Sequence, residues 1–175
     1  MSISTQQLQL LLHYTPLLTT TGTLMFTLCE DLYLRPFTHL DPLAVNEILP
    51  SYIARWFPAG FSVILTLYPL TWITTMVNLL RMHGPQRRHA WRWHAAGLFF
   101  SIAHMWWGRR AKTLLDTIRR SPAQPQLPNG DPVTLLAAWL RLNVRRGLIA
   151  DLPAGICFLI GALTRGRGVG HNHAA

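Results

Sequence analysis

Two stretches of this chain carry no Asp, Glu, Lys or Arg: residues 8–29, 22 in a row, and residues 57–80, 24 in a row. About 20 apolar residues of helix cross the ~30 Å hydrocarbon core of a bilayer, and a helix satisfies its own backbone N–H and C=O groups there. Runs of this length therefore predict membrane-spanning helices. Composition agrees: half of the 175 residues are hydrophobic and 13% are charged, against roughly a quarter in an ordinary soluble domain. The expected fold is all-α, an integral membrane bundle of four transmembrane helices over residues 1–164. A basic, glycine-rich, disordered tail is expected at residues 165–175. The first run has no basic residues before it and no small-residue cleavage pattern after it, so it is expected to be an anchor and not a signal peptide.

The other two helices are less regular. Residues 95–107 form only 13 positions without Asp, Glu, Lys or Arg, about 20 Å of helix. A third span must therefore bring Arg92, or Arg109 and Arg110, close to the membrane. The fourth lies in residues 133–163, where Asp151 is the single ionisable group of the second half. Between the first two helices the chain is punctuated by Pro36, Pro42, Pro50 and Pro58. A short helix over residues 43–49 is expected after Asp41, with helix two starting near Phe57 and kinking at Pro69. Glu30 and Asp31 are expected to close helix one at an interface. Residues 121–132, SPAQPQLPNGDP, read as a loop.

The net charge of +9 does not imply nucleic acid, because the arginines flank apolar helices and no recognised binding module is present. Four helices place both termini on one side with Arg81, Arg87, Arg88 and Arg92, which favours cytosolic termini. That orientation requires Arg109, Arg110, Lys112, Arg119 and Arg120 to lie inside the bundle, which is the expectation; otherwise the orientation is reversed. Cys29 and Cys157 sit in separate apolar runs and read as buried free thiols. No metal spacing or phosphate loop is present, and His171 and His173 form an isolated His-Asn-His in the tail. No cofactor and no metal are expected.

Chemistry concentrates on two polar stripes. In helix three, His94, Gly97, Ser101, His104, Gly108 and Lys112 fall within ~80° of one another in helical projection. In helix four, Trp139, Asn143 and Arg146 fall within about 60°, with Arg141 and Arg145 on another face. A histidine removes a proton near neutral pH, and a guanidinium or amide stabilises the anion that forms. His104, Asn143 and Arg146 are accordingly the candidate catalytic residues. Ser101, Trp139 and Arg109 are the candidate substrate contacts. His94, among Trp91, Arg92 and Trp93, reads as an interface residue. The bland alternative is that these groups bridge helices or snorkel to headgroups in a non-catalytic scaffold or carrier. An isomerase or cyclase would use the same base and anion-stabilising groups.

The order of features is TTTGTLMFTL in helix one, YIARWFPAGFSVILTLYPL at the entry to helix two, and WLRLNVRRGLIADLPAGICFLIGAL in helix four. It resembles the anthrone oxygenase-like family of small four-helix membrane proteins. Where that family often ends helix three in a Pro-Thr-Asn-Asn-like stretch, this chain has HMWWGRRAKTLL. The resemblance implies oxidation of an anthrone to an anthraquinone with dioxygen in aromatic polyketide pathways, without a prosthetic group. The implied partners are a small apolar aromatic substrate, the lipid bilayer and, for a scaffold, other enzymes of the same pathway. The implied location is a multi-pass position in a membrane, an endomembrane if the source is eukaryotic. The two charge-free runs predict that the chain stays in the membrane pellet after alkaline carbonate washing. Release into the supernatant in that fractionation would contradict it.

Overall fold

The computed structural model describes residues 4–82, 88–121 and 131–166, and among these the chain is helical with no strand. The expected loop at 122–130, Arg87 in the basic turn, and the tail from 167 with His171 and His173 lie outside the described residues. Six α-helices form four rods. They are α1 (Thr5–Leu34), α2 (Pro42–Arg81), α3 (Arg88–Ala103), α4 (Met105–Arg120), α5 (Pro132–Arg146) and α6 (Leu152–Gly166). A 3-10 turn (Arg35–His39) joins α1 to α2, α4 continues α3 beyond His104, and a π turn (Gly147–Asp151) joins α5 to α6. The bundle packs α1 on α2, α3 on α6 and α4 on α5.

Local chemistry accounts for the ends. Ser4 starts α1 with a capping box: its hydroxyl accepts from the Gln7 N–H at 3.2 Å, and its own N–H donates to the Gln7 side chain at 2.9 Å. Asp131 caps α5 by accepting from the Thr134 N–H at 2.6 Å, with Pro132 at the first helical position. Two expectations about helix limits are corrected. Residues 43–49 are not a separate short helix, because α2 is one helix of 40 residues that carries Pro50, Pro58 and Pro69 inside it. Each proline removes one backbone bond, but Val45, Leu49, Pro50 and Ile53 are buried, so packing holds the first turns in line with the rest. Glu30 does not end α1. The helix runs on to Leu34, and Glu30 is buried.

The two ends of the bundle have opposite polarity. One half is built from most of α1, the second part of α2, α3 and α6. Its interior holds Thr19, Thr20, Thr23, Thr71, Thr74, Thr75 and Asn78, and its outside shows Leu18, Leu65, Phe99 and Ile156. The buried threonines return their hydroxyls to backbone carbonyls, and Thr71 also donates to Thr19 Oγ1 at 2.7 Å across α1 and α2. The other half is built from the end of α1, the first part of α2, α4 and α5. It has a conventional core of Leu34, Val45, Leu49, Ile53, Leu115, Ile118, Leu136 and Trp139. Its outside carries Arg35, Glu47, Arg55, Arg109, Arg110, Lys112, Arg120, Arg141 and Arg145. The requirement that Arg109, Arg110 and Lys112 lie inside the bundle is therefore overturned: all three are exposed, and Lys112 pairs with Asp116 on the same helix.

Two helical stretches, Pro42–Arg81 and Pro132–Thr164, are long and apolar enough to cross a membrane. The first helix falls short of that measure despite its charge-free run, and α3 has only 16 residues. Close approach of α3 to α6 depends on two glycines. A Cβ on Gly97 would sit 2.6 Å from the Phe158 ring, and one on Gly161 2.6 Å from the His94 ring. Neither ring can withdraw without repacking its neighbours. Gly97→Val is thus expected to cost ~1–3 kcal/mol through overpacking. Gly108→Ala, which meets nothing within 4 Å, should be neutral or gain up to about 1 kcal/mol of helix propensity. Thermal unfolding in detergent checks the contrast, and equal midpoints for the two variants would refute the packing account.

Candidate functional site

Where the two halves meet, six polar side chains are buried together: Glu30 of α1, Tyr68 of α2, His104 between α3 and α4, Asn143 and Arg146 of α5, and Asp151 of the π turn. The π turn is what brings Asp151 into the group. On a continuous α-helix, five residues rotate by ~500°, which would leave Asp151 about 140° away from Arg146. The wider turn, closed by the Leu152 N–H donating to the Gly147 carbonyl, returns Asp151 toward the Arg146 face. Pro153 follows directly and has no N–H to offer to the preceding turn, which favours such a break in the ladder.

Asp151 Oδ1 lies 2.8 Å from His104 Nδ1 and accepts from the Tyr68 hydroxyl at 2.8 Å, and the Tyr68 oxygen lies 2.5 Å from the same Nδ1. A carboxylate only accepts, so Nδ1 is the ring nitrogen that carries hydrogen, which leaves the lone pair of neutral His104 on Nε2. Asp151 thereby orients the imidazole and sets its tautomer. The regular ladder also breaks at His104, whose carbonyl accepts from the Trp107 N–H three residues on, at 3.3 Å.

The second part of the site is an ion pair. Arg146 donates through a short bond to Asn143 Oδ1 and lies 3.5 Å from Glu30 Oε2. The Asn143 amide points to the Thr27 carbonyl at 3.5 Å. The Arg146 charge acts on both Tyr68 and His104, so the two parts share one field. Asp151 Oδ2, Glu30 Oε2 and Arg146 Nε have no hydrogen-bond partner among the described residues. Among the described residues, no group of three or more His, Cys, Asp or Glu side chains is placed to hold a metal ion.

The three candidate catalytic residues, His104, Asn143 and Arg146, are all in this cluster. The candidate substrate contacts are not. Ser101 is buried one turn before His104 and accepts from the Trp72 indole N–H at 2.9 Å. Trp139 is buried in the apolar core of the other half, edge-on to Trp56 with centroids 6.0 Å apart. Arg109 is exposed on α4. His94 is not an interface residue: it is buried against Phe158 and 5.2 Å from the ring of His13, toward the far end of the bundle. Cys157 is buried as expected, whereas Cys29 is partly exposed, and both are free. Tyr68, Asp151 and Glu30 complete the site without having been candidates. The signal for Asp151 and Glu30 was an acidic group within or at the end of a long apolar helix, which is retained only with a partner or a function.

Comparison with known proteins adds the last observation. Epoxidase pydX of Acremonium sp is 33% identical over 157 residues, which cover 87% of this chain and 93% of that protein. "Probable epoxidase scpX" of Mollisia scopiformis is 32% identical over 158 residues, 87% of this chain and 94% of its own. Epoxidase gkaX of Penicillium citrinum is 30% identical over 163 residues, 88% and 94% respectively. No family model matches the chain. No solved structure matches it. The chain belongs to the family of small proteins described as epoxidases that includes pydX, scpX and gkaX.

Proposed function

We propose that the chain is a multi-pass membrane oxygenase that adds oxygen from dioxygen to a small, apolar, unsaturated or aromatic molecule in secondary metabolism. The observation that carries the reading is the buried His104–Asp151 pair beside Arg146, in a chain whose relatives are named epoxidases. His104 is the base, positioned by Asp151, and Arg146 with Asn143 stabilises the negative charge that proton removal creates.

For a carbon acid of the anthrone type the steps balance without a reductant. His104 Nε2 takes a proton from the methylene carbon between the two aromatic rings. The resulting anion passes one electron to dioxygen, and the radical pair closes a carbon–oxygen bond. The imidazolium returns its proton to the peroxide, and loss of water leaves a ketone. One methylene and one dioxygen thus give one ketone and one water. Formation of an epoxide, the reaction for which the relatives are named, is the second reading. There one oxygen atom goes to a carbon–carbon double bond and the other leaves as water. Two electrons and one proton then come as a hydride from a reduced nicotinamide or flavin, and the imidazolium of His104 supplies the second proton to the departing oxygen.

Membranes holding the full chain, incubated with 1,8-dihydroxyanthrone or with a conjugated polyene plus reduced nicotinamide under oxygen-18-labelled dioxygen, separate the two readings by product. Incorporation of label into neither product would contradict the proposal. In the productive assay, His104→Gln should lower the rate per folded molecule by about 100-fold or more. Arg146→Lys keeps the charge but loses the forked donor, and should lower it by about 100-fold. Arg141→Lys, on the exposed face, should leave the rate unchanged. Equal rates for the Arg146 and Arg141 variants would remove Arg146 from the site.

A further inference from the structure

We propose that the bilayer surrounds only the threonine-lined half of the bundle, and that the other half, with its charged outside, stands in the aqueous phase. The Glu30–His104–Arg146 cluster then lies at the level of the headgroups. This inference rests on the membrane placement proposed above and adds the boundary to it.

Polarity carries the argument. In the threonine-lined half, Leu18, Met25, Leu65, Ile73, Phe99, Ile156 and residues like them are 48–67% exposed, a surface that water does not tolerate over four adjoining helices. Their interior is hydroxyl-rich, the reverse of a soluble core. No charged residue occurs in 8–29 or 57–80, and the only ones in 88–104 and 147–164 are Arg88 and Arg92 near one end and Asp151 at the other. These four segments span roughly 26 to 36 Å at 1.5 Å per residue, which brackets the ~30 Å hydrocarbon core.

Across the boundary the pattern inverts. The apolar side chains turn inward to the Leu115–Ile118–Leu136–Trp139 core, and nine Lys or Arg residues lie outside it: Arg35, Arg55, Arg109, Arg110, Lys112, Arg119, Arg120, Arg141 and Arg145. No bilayer accepts that many charges at its lipid-facing surface. The exposed apolar exceptions are Leu32 and Tyr33 at the end of α1, Leu40, Leu43 and Ile48 around the start of α2, and Met105 and Trp106 at the start of α4. The lipid itself is the occupant that fits, because exposed apolar side chains lie on all four rods of this half.

Cysteine accessibility in nanodiscs tests the boundary, since both faces of a disc are open to a membrane-impermeant maleimide. The full chain with Cys29→Ala and Cys157→Ala is the background, at one copy per phosphatidylcholine–phosphatidylglycerol disc. Single cysteines replace Leu18, Leu65, Phe99 and Ile156 in one half, and Ala44, Arg55, Thr113 and Arg141 in the other, all eight being exposed positions. The first four should react at least tenfold more slowly than the second four, and all eight should react alike once the protein is unfolded in dodecyl sulfate. Protection at all eight would overturn the boundary while leaving the membrane placement intact. Rapid reaction at all eight would overturn the placement itself. Neither result depends on turnover, so the oxygenase reading stands or falls separately.

Discussion

Asp151 imposes the condition that the rest of the molecule meets. A carboxylate in a helix otherwise composed of Leu, Ile, Ala, Gly and Phe cannot be buried alone, because transfer of an unpaired charge out of water costs far more than a domain's net stability. It is buried here because His104 and Tyr68 both reach it, from two other rods. Removing one partner of such a buried pair typically costs ~3–5 kcal/mol, since the other group is left uncompensated. Three rods are thereby fixed in register at one level. The fourth is tied to the same level by Glu30, which faces Arg146 from α1.

That arrangement joins fold to chemistry. The site sits where helix geometry is irregular: the ladder breaks at His104 and opens into a π turn at Gly147–Asp151. Irregular turns leave backbone groups and side chains pointing where a straight helix would not put them, and π turns recur at functional sites for this reason. The site also sits where the interior changes from hydroxyl-lined to apolar.

Much of this was legible in the sequence wherever the helix is regular. Residues 132–146 follow α-geometry, so helical projection correctly put Trp139, Asn143 and Arg146 inward and Arg141 and Arg145 outward. The helix-three stripe is buried for the same reason from His94 to His104, but beyond the break at His104 it turns outward, with Gly108 half-buried and Lys112 exposed. Projection failed where geometry departs from 3.6 residues per turn. Asp151 was visible as an isolated acid, but straight-helix geometry, which would set it about 140° from Arg146, gave no reason to group the two. Tyr68 lies beside Pro69 in a long apolar run, and nothing in its neighbours marks it as the partner of a residue 83 positions away. Glu30 was read as an end signal because acids next to apolar runs commonly are. The continuity of α2 through three prolines was hidden because proline predicts breaks from local backbone chemistry, whereas burial of Leu49 and Ile53 decides here. Trp139 illustrates the converse: its direction was right, but its neighbours are a hydrophobic core.

The central claim is that Asp151 holds the His104 imidazole with hydrogen on Nδ1 and the lone pair on Nε2, ready to take a proton. Nitrogen-15 magnetic resonance of ring-labelled histidine in the bilayer-embedded protein reads this directly, with the His104 signals assigned by comparison with His104→Gln. The expected spectrum of the neutral ring shows a protonated Nδ1 and an unprotonated Nε2, and Asp151→Asn redistributes the hydrogen between the two nitrogens. A neutral His104 protonated at Nε2, with a spectrum unmoved by Asp151→Asn, would contradict the account.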